Sequence, residues 1–409
     1  MKILVVGAGI IGALSALQLR RSGHAVTLIE RDEPGMQCSY GNGGALSPDF
    51  CVPFALPGMM KRIPRWFADP NGPLFVDWRH LPKSLPWLFE WLRQSKLDKV
   101  WHNARAMRAL HGPCIDLYES MLGEKAAGLI ERGGSVYVWK TPKAGPTETL
   151  SRTIRETMGV QVVPLQGRQV QEIDPNLHPS YCNGLLFPNN GHTVNPLRLT
   201  QTIVDMFVAI GGAVIRDDVQ GPVWKDGKVI GVQCSQGSNL AERMVIATGI
   251  RGKTFAAQLG DHVLLQAERG YHVMLPDPGV RPALKISNRD HMFGLAPMEN
   301  GVRIGGTVEI SDPDAPMRPE RARSLLMHAR AMYPDLNVEG AEFWMGSRPS
   351  TPDCLPIIGP SARAPNVLYA FGHGHSGVMA SPMTAQLVTA LINDAAPPVD
   401  PTPYRPDRF

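Results

Sequence analysis

The stretch ILVVGAGIIGALSALQLRRSGHAVTLIE, residues 3 to 30, constrains the fold more than any other part of the chain. Ile3 to Val6 is a short β-branched and aliphatic run of the kind that makes a buried parallel strand. It meets Gly7, Gly9 and Gly12 in the spacing G-x-G-x-x-G. Ile10, Ala13, Leu14 and Leu17 then repeat at the spacing of one helix face, Arg20 and Arg21 occupy the last turn, and Gly23 supplies the stop. Ala25 to Ile29 makes a second strand, closed by Glu30. A lysine at position 2 before an apolar run also resembles an export signal. The glycine spacing, the second strand and the lack of a small-residue cleavage site oppose that reading.

Strand, glycine turn, helix and strand in this order form a nucleotide cradle. The first glycine permits the sharp turn, the second lets backbone amides approach a pyrophosphate, and the third lets helix pack on strand. Ala8, Ile10 and Ile11 are therefore backbone contacts beside Gly7, Gly9 and Gly12, at a helix N-terminus that favours phosphate. Glu30 is placed to accept hydrogen bonds from ribose hydroxyls and to repel a 2′-phosphate, with Arg31 beside it; NADP is disfavoured.

A chain of 409 residues has room for two domains, and its 43% hydrophobic and 19% charged content is that of a folded protein. A net charge of +4 is too mild for a nucleic-acid partner. The six cysteines are scattered, with no C-x-x-C and no metal-like clustering, so no metal site is expected and reduced thiols fit a cytoplasmic protein. No apolar run reaches the ~18 residues of a spanning helix.

After the cradle comes CSYGNGGALSP, residues 38 to 48, a glycine-rich loop able to lie against a flat group; Ser39, Asn42, Gly43, Gly44, Ala45 and Leu46 are its candidate cofactor contacts. Five of the eight tryptophans follow between residues 50 and 101. Helices are predicted over 86–110, 113–122, 147–159, 196–210 and 318–332, and a hairpin at Asp226-Gly227 within the β-rich run that contains Val219. RMVIATGI ends a buried strand in Ala247-Thr248-Gly249. A second glycine turn, Gly372-His373-Gly374-His375-Ser376-Gly377 followed by Val378, points another helix N-terminus at an electron-rich group. Elements that face a cofactor thus recur at both ends of the chain. A cofactor touched from both ends is large, which favours FAD.

VVGAGIIG, ATG, the run from Gly346 to Gly359 (GSRPSTPDCLPIIG) and GHGHSGVMASP together resemble the FAD-dependent D-amino-acid oxidase superfamily; SYGNGGALSP and the Pro- and Trp-rich segment after it look most like bacterial D-amino-acid dehydrogenases. The resemblance spans essentially the whole chain. It implies an α/β plus α+β fold of the D-amino-acid oxidase and glycine oxidase type: a Rossmann-like FAD-binding domain, discontinuous over 1–50, 147–165, 190–262 and 340–400, and an antiparallel-sheet substrate domain over 51–146, 166–189 and 263–339. Val219 joins the implied cofactor contacts.

The same resemblance gives Arg348 the substrate α-carboxylate, a role that suits a planar guanidinium, and makes Tyr271 either a lid or carboxylate partner or a core tyrosine. His375 stands where glycine oxidases carry arginine, which puts a two-point carboxylate clamp in doubt. Asn42 and His375 are candidates for hydrogen bonds near flavin or substrate amine, with a structural loop role equally open. Gly346 occupies the place of a flavin-tethering cysteine in monomeric sarcosine oxidase, so the FAD is expected to be non-covalent. The implied activity is oxidative deamination of a D-amino acid to a 2-oxo acid and ammonia, electrons passing to a quinone or a protein acceptor. Oxygen-using oxidation of glycine, sarcosine or a D-proline type substrate is the alternative. An RNA-modifying module of the same fold needs a basic groove, and the mild charge with no basic run argues against it, as Arg348 argues against a non-catalytic flavoprotein subunit. Basic and aromatic residues between 57 and 92 (Lys61, Arg62, Arg65, Trp66, Phe67, Phe75, Trp78, Trp87, Phe89, Trp91) suit either a packed layer or a peripheral membrane or quinone-docking surface on the cytoplasmic side. Oligomeric state is open.

Overall fold

The computed structural model describes residues 1–59, 69, 71–141 and 145–409. Among these, two large sheets organise the chain. The first has six strands in the order Ala213–Arg216, Ala25–Glu30, Lys2–Val6, Arg243–Ile246, Val367–Phe371, Ile357–Pro360. All pair in parallel except the last. Alternation along the first strand decides its packing. Ile3 and Val5 enter the core beneath helices Ile10–Arg21, Pro196–Ala209 and Gly377–Ile392, while Leu4 and Val6 face a second core with helix Gly252–Leu259. A three-stranded antiparallel sheet (Val219–Lys225, Lys228–Cys234, Gly237–Leu240) covers that side. Its hairpin turns through Asp226 (φ 49°) and Gly227 (φ 74°), both left-handed as a two-residue turn requires.

The second sheet has nine strands, mostly antiparallel. Its main path is Glu342–Ser350, Gln266–Leu275, Gly301–Ile310, Phe293–Met298, Lys285–Asn288, Ser135–Trp139, Asn183–Phe187, Val163–Gln166, and Leu74–Val76 joins it beside Gly301–Ile310. One face packs against helix Pro319–Met332 through Tyr271, Val273, Leu295, Ile304 and Leu325. The opposite face looks toward the first domain.

The α/β plus α+β architecture holds, with two boundaries redrawn. Strand Glu342–Ser350, within the 340–400 stretch expected in the FAD domain, pairs instead with Gln266–Leu275 in the nine-stranded sheet. Helices Leu97–His111 and Cys114–Leu122 bury Met107, Leu110, Tyr118 and Leu122 in the core of the six-stranded sheet, although 51–146 was assigned to the substrate domain. The helix expected over 86–110 is two, Leu81–Arg93 and Leu97–His111, broken at Gln94–Lys96; Pro86 lies within the first. Lys61, Arg62, Arg65, Trp66 and Phe67 fall outside the described residues.

Candidate active site and cofactor cradle

The strand ends of the six-stranded sheet converge on one edge. Register pairs Val6 with Ile29 and Ile246, so Gly7, Glu30 and Ala247 emerge together. Gly7 has φ 98°, and a Cβ there would stand 2.6 Å from the Ala247 carbonyl oxygen. At Gly12 a Cβ would meet the Gly7 oxygen at 1.8 Å. Only glycine permits this approach of helix to turn. The helix starts after Gly9, which has no side chain to cap it, and has no acid in its first turn.

The Glu30 carboxylate lies in the cradle, its Oε2 accepting from the Ala8 N–H (2.7 Å) and its Oε1 from Arg31 (2.9 Å) and Asp32 (3.2 Å). A carboxylate offers about four lone-pair sites, so capacity remains for a ribose hydroxyl. Ser39 Oγ accepts from the Ile10 N–H at 2.9 Å, tying the glycine-rich loop to the helix start. The Thr248 hydroxyl is buried without a partner among the described residues, an orphan that a bound dinucleotide would satisfy. These features fit a dinucleotide at this edge. Val219 lies nearby, half-buried at the start of the small sheet.

Beside the cradle lies a cavity of about 630 Å³ whose far wall is the nine-stranded sheet. Period-two alternation selects what faces it. Glu268, Gly270 and His272 face it from one strand, Trp344, Gly346 and Arg348 from the next, and Arg303, Gly305 and Thr307 from a third. The glycines clear space: a Cβ on Gly270 would stand 2.0 Å from Arg348 Cζ, and one on Gly346 would stand 2.1 Å from the Trp344 ring. Asn42, Gly43, Gly374 and His375 border the same cavity from the first domain.

Arg348 donates from Nη1 to the Thr307 carbonyl (2.9 Å) and from Nη2 to Gly306 (3.5 Å) and makes no ion pair among the described residues. With five N–H donors in the guanidinium, most remain turned to the cavity. Burial lowers its pKa, opposed by Glu268, its cross-strand neighbour. Thr307 has φ 58°, a strained conformation for a β-branched residue that turns its carbonyl to Arg348, and its buried hydroxyl has no partner among the described residues. Burial alone would raise the Glu268 carboxyl. His375 bonding to it and the Arg348 charge outweigh burial and hold it below the usual carboxylate range. Burial and Arg348 push His375 down, so it is neutral at pH 7 and donates from Nε2 to Glu268 Oε2 (2.8 Å).

For Tyr271 and Asn42 the hydrogen bonds favour the structural alternative. Tyr271 lies one residue out of phase with Gly270, so its side chain enters the opposite face. It is 1% exposed, and its hydroxyl donates to Glu309 Oε2 at 2.6 Å in a buried network with Arg269. It packs as a core tyrosine at the edge of the cavity. Asn42 spends its side-chain oxygen on the Gly44 N–H (2.8 Å), and its carbonyl accepts from Arg303 Nη1 (2.7 Å); it folds the loop. His373 is likewise structural, buried to 4%, 3.0 Å from the Thr384 hydroxyl and depressed to about 3 by burial.

A family model described as FAD dependent oxidoreductase, the DAO family, matches residues 2–391. The chain belongs to this family. A D-amino-acid oxidase of Bradyrhizobium diazoefficiens is 34% identical to this DAO-family chain over 416 residues, covering 100% of it and 98% of the relative. Among solved structures, glycine oxidase from Geobacillus kaustophilus superposes with TM-score 0.74 at 20% identity (100% and 98% of the chains), and L-proline dehydrogenase from P. horikoshii with TM-score 0.76 at 18% (100% and 97%). As a DAO-family member the protein is an FAD-dependent oxidoreductase, and the cradle has the backbone geometry that a dinucleotide needs.

Sequence reasoning passed over Glu268, Trp344, Arg303 and Lys285, all cavity residues of the DAO-family fold. The signal was present for Glu268. In QAERGYHVM it shares phase with Gly270, and both sit opposite the Arg348 strand only once pairing is known.

Proposed function

We propose that this enzyme oxidatively deaminates D-amino acids to 2-oxo acids and ammonia, passing the electrons to a quinone or another acceptor. Bound FAD supplies the two-electron acceptor for the substrate Cα–H. One observation carries the reading: Arg348 and Glu268 stand opposite each other on neighbouring strands, a cation and an anion facing one cavity without forming an ion pair. That array complements a zwitterion. Arg348 presents its free donors to the α-carboxylate. Glu268, held ionised, accepts from the α-ammonium, and neutral His375 fixes the carboxylate through its Nε2–H. Walls of Trp344, Trp87, Phe54 and Phe293 exclude water and favour the neutral amine, whose lone pair must be free before the Cα–H bond breaks. The named relative, a D-amino-acid oxidase, supports the amino-acid class and favours oxygen as a second reading of the acceptor. Anaerobic bleaching of the flavin by a D-amino-acid panel tests the substrate class. Turnover with a quinone-like dye, set against hydrogen peroxide release, separates dehydrogenase from oxidase.

A membrane-facing position is part of the same proposal. Trp78 (74% exposed) and Phe89 (64%), with Leu85 and Leu97, lie among Arg79, Lys83, Arg93 and Lys96. On the inner side of this segment Trp87 and Trp91 line the cavity. No described helix is long and apolar enough to cross a membrane.

A further inference from the structure

Besides Arg348, and Arg303 whose Nη1 is bonded to the Tyr40 and Asn42 carbonyls, the cavity holds a further cation, Lys285. Lys285 and Ser287 alternate with Ile286, which packs in the core of the nine-stranded sheet. The neighbouring parallel strand repeats this pattern: Ser135 pairs with Lys285, and Tyr137 with Ser287, while Val136 and Val138 face the core. These four side chains, with Ser47 and His375, line a side cavity of about 210 Å³ that opens into the larger one.

Lys285 has no hydrogen bond or ion pair among the described residues, and the remaining residues include no aspartate or glutamate. Lys285 is half-buried and lines both cavities. Burial depresses it to about 8 with no carboxylate opposing the shift. It also helps to depress the nearby His192, behind burial itself. A charge withdrawn from water without a partner is costly, and the hydroxyls and apolar groups (Ala45, Phe50, Phe54, Met379) around it cannot neutralise it. An anion entering from the substrate side would.

We propose that the Lys285 side cavity is a subsite for a second carboxylate, and that the preferred substrates are D-amino acids with an acidic side chain. Arg348 takes the α-carboxylate and Lys285 the distal one, with Ser135, Tyr137 and Ser287 as neutral hydrogen-bonding partners. His375 joins the two ends, since it borders the side cavity and bonds to Glu268, which stands opposite Arg348. The proposal rests on the amino-acid reading above and deepens it.

The test compares holoenzyme with Lys285→Met, reading anaerobic flavin reduction by D-glutamate, D-glutamine and D-alanine. D-Glutamine is the decisive control, being nearly isosteric and uncharged. A charge-assisted hydrogen bond corresponds to about 10- to 100-fold in kcat/KM. Native enzyme should prefer D-glutamate to D-glutamine by about that factor, and Lys285→Met should abolish the preference while D-alanine changes less than about threefold. Equal use of D-glutamate and D-glutamine by native enzyme overturns the proposal. So does an equal loss on all three substrates with Lys285→Met, which would place the ammonium beside the glycine-rich loop at Gly43 or the flavin instead. Perturbation of the flavin spectrum by unreactive glutarate and butyrate gives a readout independent of turnover. Glutarate should bind more tightly to native enzyme and lose that advantage in Lys285→Met. If no D-amino acid reduces the flavin while glutarate keeps its Lys285-dependent advantage, the deamination reading fails and the subsite stands; if glutarate binds no better than butyrate, the subsite fails.

Discussion

His375 Nε2 lies 2.8 Å from Glu268 Oε2, and Glu268 stands across the strand pair from Arg348. The glycine turn of one domain thereby fixes the carboxylate that the sheet of the other presents to the cavity. A carboxylate held ionised beside the substrate nitrogen favours the ammonium form. Glu268→Gln removes that charge, so the substrate amine should lose its proton at lower pH and the acidic limb of the flavin-reduction rate should shift downward. Apparent affinity should fall about tenfold, since the charge-assisted contact is lost. An unchanged limb and affinity would show that Glu268 only supports the fold.

The cradle was legible because a single local element encodes it. Gly7, Gly9, Gly12 and Glu30 lie within one strand-turn-helix-strand unit, and their spacing within that unit points to a dinucleotide. Arg348 and His375 were legible through motif likeness. Tyr271 and Glu268 were not, because the assignment depends on the phase of a strand relative to its partners, which only the register of Gln266–Leu275 against Glu342–Ser350 reveals. Lys285 was hidden for another reason: nothing local distinguishes a lysine on a solvated strand from one facing a cavity.

Glu30 anchors the cradle by three backbone N–H groups and keeps capacity for the ribose. Glu30→Ala should weaken FAD binding at least about tenfold, taking roughly 1.5–3 kcal/mol for a charge-assisted bond. Flavin release on dilution and acid precipitation measures it. Native protein should release all its flavin to the acid supernatant, since Gly346 offers no tether. Flavin in the pellet, or full occupancy in Glu30→Ala, would contradict the assignment.

Three buried histidines set a pH limit on stability. Burial depresses His111 from 6.5 to about 4, and His272 and His373 to about 3. Below pH 6.5 the unfolded chain takes up protons that the folded chain refuses, so stability is full above that value and falls as pH drops toward 4. Tm should decline steeply as pH falls below 6.5. His111 donates from Nδ1 to the Phe50 carbonyl at 2.7 Å, a bond the amide of His111→Asn can copy. That variant should show a shallower decline; an identical slope would remove His111 from the cause.

Exposed Trp78 and Phe89 among basic residues predict binding to vesicles with anionic headgroups. Native protein should float with such vesicles at low salt and lose binding as salt rises, and Trp78→Ser with Phe89→Ser should float less at every salt concentration. No flotation with anionic vesicles would leave this segment only its packing role over the cavity.

Arg348 is the cation on which the amino-acid reading depends, poised above Gly270 with free donors. Removing one partner of a buried charge pair costs about 2–5 kcal/mol, roughly 30-fold to several-thousand-fold. The direct measurement is anaerobic flavin reduction by a D-amino acid and its amide in native enzyme and Arg348→Ala, at matched FAD content. Native enzyme should strongly prefer the acid, Arg348→Ala should lose most of kcat/KM for the acid and no further activity on the amide, and Arg348→Lys should recover only part. Near-native reduction by D-amino acids in Arg348→Ala would contradict both the substrate and the site.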